Sequence, residues 1–420
     1  MSELTPEGVL QYYLMEAALT KNPRYEIARD DMSNSSRSRS GLASLIASSS
    51  RQIKPHNGGS NISQQRLDGH KLHLHPERVA EWRAGNQIAP IYIDMGITQT
   101  CNVACKFCYY MVPENRTSHI IPTEALIEFL KCSAGMGVKA IGFLGDGEPT
   151  LHPGVYDAVE AGAEFGLDMA IATNGVALNA ERLPKFLSSL NWIRFTLAVG
   201  ERQAYKRVMG GNEKTFDKVV KNIRRCVEIK KELGLTVVIG MQMVLIEECV
   251  DQVVPQARLG KELGVDYFVV KQTSESGNEE KDNVQHGLIL EDYSNYEDIF
   301  LSAESFASES YAVVIKRAKM EKKTRNYHSC YGCEFLPQIT GKGDVYPCGN
   351  HFERQDLYIG NIVDQSFRDI VFGERYAEVM RRVKEDINVH TECGIGCRQN
   401  EINEYLYELK TNRPAHANFI

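Results

Sequence analysis

From about residue 90 to residue 271, strand-like and helix-like patterns alternate, and this alternation limits the fold more than any other feature of the chain. The predicted strands are Ile91–Ile97, Ala140–Leu144, Asp168–Thr173, Trp192–Ala198, Thr236–Leu245 and Tyr267–Lys271. Apolar residues at helical spacing fall between them, over Thr123–Met136, Gly154–Phe165, Ala180–Leu190, Lys214–Leu233 and Val250–Leu263. Thr123 is suited to cap the first of these helices, with Leu126, Ile127, Phe129 and Leu130 on its buried side. Repeated β-then-α units specify a parallel sheet with right-handed crossovers. Six units are too few to close the eight-fold barrel, so the expected fold is α/β: a partial (β/α)6 TIM-like barrel. Past residue 310 the alternation stops, and helices are expected over Ser366–Ile387 and Glu401–Leu409. Three regions follow: an N-terminal extension over 1–87, the partial barrel over 88–309 and a small C-terminal domain over 310–420.

The extension carries helical spacing from Gly8 to Leu19, then a serine-rich stretch from Asp31 to Ser50 that reads as a linker or lid. His70, His73 and His75 stand at alternating or near-alternating positions, which favours a half-exposed strand over a metal site. With 43% hydrophobic and 25% charged residues in 420, the composition is that of an ordinary globular chain. A formal net charge of -7 gives no footprint for bulk nucleic acid. No run of eighteen apolar residues suggests a membrane span, and Met1–Glu7 does not start a secretory signal, so a cytoplasmic protein is expected. Eleven cysteines in such a chain point to metal or redox chemistry before disulfides.

Three of those cysteines, Cys101, Cys105 and Cys108, lie within eight residues directly after the first strand. Their loop therefore sits at the C-terminal ends of the strands, the face that carries active sites in such barrels. The next cysteine, Cys132, falls on a predicted helix. Three thiols with an open fourth position suit chemistry more than a structural staple. Gly145-Asp146-Gly147-Glu148-Pro149 closes the second strand; its glycines permit close approach of a ligand, and Glu148 can accept hydrogen bonds from an ammonium group. Five more cysteines, Cys330, Cys333, Cys348, Cys393 and Cys397, gather in the C-terminal region. A zinc site remains open there, since paired thiols also suit zinc. Cys132 and Cys226 read as buried small hydrophobes.

The cysteine spacing, with Phe107 before the last thiol, resembles the signature of the radical S-adenosylmethionine (radical SAM) enzymes. The resemblance implies that Cys101, Cys105 and Cys108 hold a [4Fe–4S] cluster with SAM on the fourth iron, and that Phe107 packs near the adenine. Gly145 to Glu148 is similar to the family's Gly-Gly-Glu segment, which holds the SAM amino group, with Asp146 standing where the pattern has glycine. By the same pattern Asn174 and Thr196 contact SAM, Arg207 is a candidate partner for its carboxylate and Gln242 for its ribose. Lys271 and Gln272 end strand six at the same mouth and are candidates to reach substrate. Cys249 is a candidate hydrogen-atom donor or a structural thiol. The spacing of Cys333, Gly343 and Cys348, and Gly360-Asn361-Ile362 beyond, resemble the opening of the SPASM and twitch domains. That implies one auxiliary [4Fe–4S] cluster, held by Cys330, Cys333, Cys348 and Cys397, with Cys393 the uncertain member.

The resemblance implies reduction of the first cluster by an external donor such as flavodoxin or ferredoxin, then cleavage of SAM to methionine and a 5′-deoxyadenosyl radical that abstracts hydrogen from substrate. The expected substrate is a small polyhydroxylated or sugar-like molecule, oxidised, epimerised or dehydrated. Radical modification of a ribosomally made peptide is the alternative, and a non-enzymatic iron–sulfur or zinc scaffold is a third.

Overall fold

In this computed structural model the structure describes residues 70–108, 117–273, 288, 290, 292–320, 324–394, 397–411 and 415–419. All of them lie in one unit spanning Ser60–Ile420. The helix and serine-rich stretch expected before residue 60 fall outside the described residues. The strands are β1 (Tyr92–Met95), β2 (Ala140–Phe143), β3 (Asp168–Thr173), β4 (Trp192–Thr196), β5 (Val238–Leu245), β6 (Tyr267–Gln272), β7 (Ala312–Ile315), β8 (Gln338–Ile339), β9 (Asp344–Tyr346) and β10 (Gly360–Asn361). The helices used below are α1 (Pro76–Arg83), α2 (Thr123–Met136), α3 (Val155–Glu164), α4 (Leu183–Ser188), α5 (Arg202–Met209), α6 (Glu213–Glu232), α7 (Val253–Leu263), α8 (Glu297–Glu304), α9 (Arg317–Met320), α10 (Phe367–Val371), α11 (Glu374–Glu385) and α12 (Asn400–Lys410).

All ten strands join one sheet in the order β10-β9-β8-β1-β2-β3-β4-β5-β6-β7. Strands β1 to β7 run parallel, as βα repeats require, and the sheet is open rather than closed into a barrel. One face is covered by helices: Ile93, Met95, Ile141, Phe143, Ile193, Phe195, Met241 and Phe268 are buried in a core that also takes in Leu126, Val159, Phe186 and Ile223. Because strand side chains alternate, the intervening residues form the inner face. A separate apolar cluster of Val238, Tyr267 and Val269, packed with Trp192, Ala312 and Val314, floors that inner face.

Two differences from the sequence reading matter for the site. β7 lies beyond the boundary drawn at 309, and it pairs with β6 as a seventh parallel strand. The C-terminal strands do not build a sheet of their own; β8 pairs with β1 in parallel at Asp94↔Gln338 and Met95↔Ile339. The stretch expected as one helix over Ser366–Ile387 is two, α10 and α11, parted at Gly373. The histidine strand is also corrected. Leu72–Leu74 is a single 3-10 turn, because Leu72 is drawn into a small core with Trp82, Tyr331, Phe335 and Leu406, and Pro76 starts α1 just after. His70 stacks on Tyr405 with ring centroids 4.5 Å apart.

Candidate functional site

The three-cysteine loop leaves β1 at Gly96 and is held by backbone at both ends. Glu148 N–H donates to Thr100 O at 2.8 Å, Ala104 N–H to Met209 O at 3.2 Å and Lys106 N–H to Val208 O at 3.0 Å. The last turn of α5 therefore carries the loop. Cys105 is its innermost thiol: burial pushes it well above the ordinary thiol range, and the Cys108 and Cys101 thiols push it further. Cys101 is raised mainly by burial as well. The three thiols thus lie near enough for the charges of Cys101 and Cys108 to act on Cys105, and thiols of this kind are ones that a metal centre, by offsetting thiolate charge, would bind deprotonated.

The segment after β2 lies against that loop. A Cβ on Gly147 would fall 2.2 Å from Thr98 O, and one on Gly145 2.5 Å from Gly96 N, so neither position admits a side chain. Glu148 is buried, and its carboxylate accepts from Thr173 Oγ1 at 2.6 Å, Asn174 N–H at 2.7 Å and Thr150 N–H at 3.0 Å. Burial raises its pKa although these donors pull it down. A buried carboxylate short of full compensation fits a bound ammonium. Asn174 joins this group to the thiols: its backbone bonds Glu148, while its side-chain amide donates to Asn102 Oδ1 at 2.7 Å and lies 3.9 Å from Cys101 Sγ.

The five late cysteines converge from three segments. Cys330 Sγ and Cys333 Sγ are 3.2 Å apart, and Asn403 Nδ2 donates to Cys330 Sγ at 3.2 Å. The Cys333 thiol donates to Cys330, which lowers Cys330 and raises Cys333. Burial raises Cys348, and the thiols of Cys330, Cys397 and Cys393 raise it further. Cys393 is pushed up to about 12 and Cys397 to about 11, each first by burial and then by Cys330. Arg325 holds the Cys393 loop through the carbonyls of Val389, Cys393 and Gly394 at 2.7, 3.0 and 2.7 Å. The charges of Cys330 and Cys397 thus reach Cys393 as well. Among the described residues, no three His, Cys, Asp or Glu side chains are already drawn around a single ion. The soft, all-sulfur donor sets at both places suit iron–sulfur centres.

The remaining candidates are placed as follows. Thr196 and Gln242 sit side by side in the β4–β5 register on the inner face. Lys271, half-buried at the end of β6, also faces inward, and burial together with Arg194, Arg398, Lys319 and Lys316 lowers its pKa to about 7. Phe107 is buried in the main core. Arg207 is exposed and engaged by Asp251, with Nη2 2.7 and 3.0 Å from its two oxygens. Cys249 is fully buried and turned back on the end of β5, 3.3 Å from Ile246 O and 3.6 Å from Val244 O. Its thiol is raised to about 12 by burial.

The sequence reading passed over Asp94 and Arg398. Asp94 is buried on β1, where Arg398 pairs with it and Gln338 Nε2 donates to it at 2.9 Å. Arg398 follows Cys397, and Gln338 in turn accepts from Gly349 N–H, beside Cys348. A carboxylate between Ile93 and Met95 in an apolar strand was the available signal.

These two sulfur centres belong to known domains. Residues 95–253 match the radical SAM superfamily, and residues 330–398 match the iron–sulfur cluster-binding SPASM domain. The chain carries a radical SAM domain and a SPASM domain and is a radical SAM enzyme, using SAM, a [4Fe–4S] cluster and an auxiliary iron–sulfur cluster. It is 25% identical over 339 residues to the AdoMet-dependent heme synthase of Methanosarcina barkeri, covering 74% of this chain and 91% of that one. It is 24% identical over 303 residues to the tungsten-containing aldehyde ferredoxin oxidoreductase cofactor-modifying protein of Pyrococcus furiosus, covering 68% and 82%. Streptococcus suis SuiB bound to its precursor peptide SuiA shares the fold, with TM-score 0.56 at 17% identity over 81% of this chain and 77% of that one. None of the described helices is long and apolar enough to cross a membrane.

Proposed function

We propose that the chain removes a hydrogen atom from a small polar substrate held on the inner face of the sheet, beside the three-cysteine loop. The observation that carries this reading is Asn174, whose backbone bonds Glu148 while its side chain approaches Cys101. In this reading Cys101, Cys105 and Cys108 hold the first cluster, and Glu148 with the Gly145–Gly147 backbone seats the SAM amino group. The reduced cluster with SAM bound supplies reductive cleavage of SAM to methionine and a 5′-deoxyadenosyl radical. The chain's own residues orient the reactants and keep water from them. Thr196 and Gln242 are suited to hydrogen-bond a ribose or a hydroxylated substrate, which supports the polyhydroxylated class and its oxidation, epimerisation or dehydration. Arg207 reaches the SAM carboxylate in this reading by exchanging it for Asp251. Cys330, Cys333, Cys348 and Cys397 hold the auxiliary cluster, with Cys393 as a fifth candidate. A flavodoxin or ferredoxin supplies the electron.

The names of the heme synthase and the cofactor-modifying protein support a small-molecule substrate over a peptide. The test is to fractionate a cell extract into small metabolites and peptides, add each to the reduced, reconstituted protein with SAM, and measure 5′-deoxyadenosine. Stimulation by the small-metabolite fraction is expected. Stimulation by the peptide fraction alone would move the substrate to the peptide class.

A further inference from the structure

The inner face holds more positive charge than the reading above uses. Arg194 projects from β4 between Trp192 and Thr196, and its guanidinium lies 5.2 Å over the Trp192 ring. Its Nε is buried with no hydrogen-bond partner among the described residues. Lys271 projects from β6 two positions beyond Val269, on the same face as the Tyr267 and Val269 floor. Lys316 follows β7 and is bonded to β6 backbone, Lys316 N–H to Val270 O at 3.0 Å. Lys319 and Arg398 complete the cations whose charges act on Lys271.

Two of these five have another assignment. Arg398 pairs with Asp94, and both Arg398 and Lys319 lie near Cys397, where auxiliary thiolates offset them. Arg194 and Lys271 have no such anion to offset them, although Arg194 is hydrogen-bonded to the neutral hydroxyl of Tyr267. Neither has a carboxylate within ion-pair distance among the described residues, and their side chains start from strands separated only by β5. Cations brought together above an apolar floor repel one another and lose hydration, so the grouping costs free energy unless it is met by negative charge. SAM does not meet this need, since its sulfonium and ammonium outweigh its single carboxylate.

We propose that Arg194 and Lys271 form an anion subsite that takes a phosphate or carboxylate group of the substrate. The proposal rests on the reading that substrate occupies the inner face, and it narrows that substrate to an anionic molecule. Arg194 offers a planar pair of donors, and Lys271 a point charge at the mouth. Together they hold the charged end of the substrate over the floor and leave its reacting carbon toward the three-cysteine loop.

The test is competitive acylation of the wild-type holoprotein with SAM bound, using trace acetic anhydride near neutral pH and mass spectrometry of the Lys271 peptide. Inorganic pyrophosphate and citrate are the two anionic probes, and glucose is the neutral one. Saturating anion is expected to cut Lys271 labelling by about tenfold, by holding the amine protonated, while exposed Lys206 is unchanged. Protection by pyrophosphate alone assigns a phosphate, and by citrate alone a carboxylate. Arg194→Gln is expected to raise the pyrophosphate needed by about tenfold, the weight of one charged contact. Unchanged Lys271 labelling, equal protection by glucose, equal loss at Lys206 or no effect of Arg194→Gln would overturn the subsite. The wild-type labelling stands even if Arg194→Gln does not fold. Release of 5′-deoxyadenosine by the same preparation is scored separately: release without protection sinks the subsite alone, and no release sinks the reading beneath it.

Discussion

Asp146 accepts the backbone amide of Gly341 with both carboxylate oxygens, at 2.9 and 2.7 Å. Asp146 stands between the two glycines of the segment beside the thiol loop, and Gly341 lies in the turn from β8 to β9. Gln99 donates to the same carboxylate at 3.3 Å. The residue that departs from the Gly-Gly-Glu pattern is therefore the one that fastens the C-terminal strands to the first site. Asp146→Ala removes a buried, charge-assisted bond and is expected to cost about 1.5 to 3 kcal/mol. Urea unfolding measures the loss, and amide exchange at Gly341 should quicken in the folded variant.

Asp94 makes the second fastening. Its carboxylate holds Arg398 and Gln338, which stand next to Cys397 and, through Gly349, Cys348. Asp94→Ala takes the carboxylate from a half-exposed cation and from an amide, at a cost of about 1 to 2 kcal/mol after screening of Arg398 by solvent. The variant is expected to lose iron from the auxiliary site before the first. Iron content of reconstituted Asp94→Ala, compared with the same variant in a Cys105→Ala background, reads this order directly.

Much of this arrangement was legible in the sequence, and the rest was not for a physical reason. Strands β1 to β6 announce themselves as short apolar runs, alternating in β4 as Trp192-Ile193-Arg194-Phe195-Thr196 and buried throughout in β5. The thiol loop and the Gly145–Glu148 segment are local in sequence, so their chemistry can be read there. The contacts of Asp146 with Gly341 and of Asp94 with Arg398 span 195 and 304 residues, and no local pattern encodes them. β8 and β10 are two residues long, too short for periodicity; β8 exists because β1 offers an edge, and β10 because β9 does. The histidines at 70, 73 and 75 misled because alternation alone does not show that Leu72 is pulled into the Trp82 core.

Glu148 sets a pH dependence for SAM. Burial raises its pKa above the ordinary 4.5, and an ammonium is held only by the ionised form. SAM affinity of the reconstituted wild-type protein is therefore expected to fall on acidification before pH 4.5 is reached. Glu148→Gln should bind SAM about tenfold or more weakly near neutrality and show no such fall. Equilibrium dialysis across acidic to neutral pH checks both.

Lys271 carries a stability cost in the substrate-free protein. Its pKa falls from 10.5 to about 7 on folding, so the native state binds this proton less tightly than the unfolded chain. The contribution is fully favourable above 10.5 and is lost as pH falls toward 7. Lys271→Met is thus expected to stabilise the apo-protein by on the order of 1 kcal/mol at neutral pH, discounted for the half-exposed side chain. The gain should vanish as pH approaches 10.5. Thermal midpoints of the two proteins at several pH values follow it.

The central claim is that the Cys101–Cys108 loop turns SAM into a radical source. Its most direct measurement is 5′-deoxyadenosine formed from SAM by the anaerobically reconstituted, dithionite-reduced protein, wild type against Cys105→Ala. The account predicts release by the wild type and none above background by Cys105→Ala, which should still keep the iron of its auxiliary site, about half the total if both sites hold four-iron clusters. Equal release by the two proteins, or none by a wild type that carries its full iron, would contradict it.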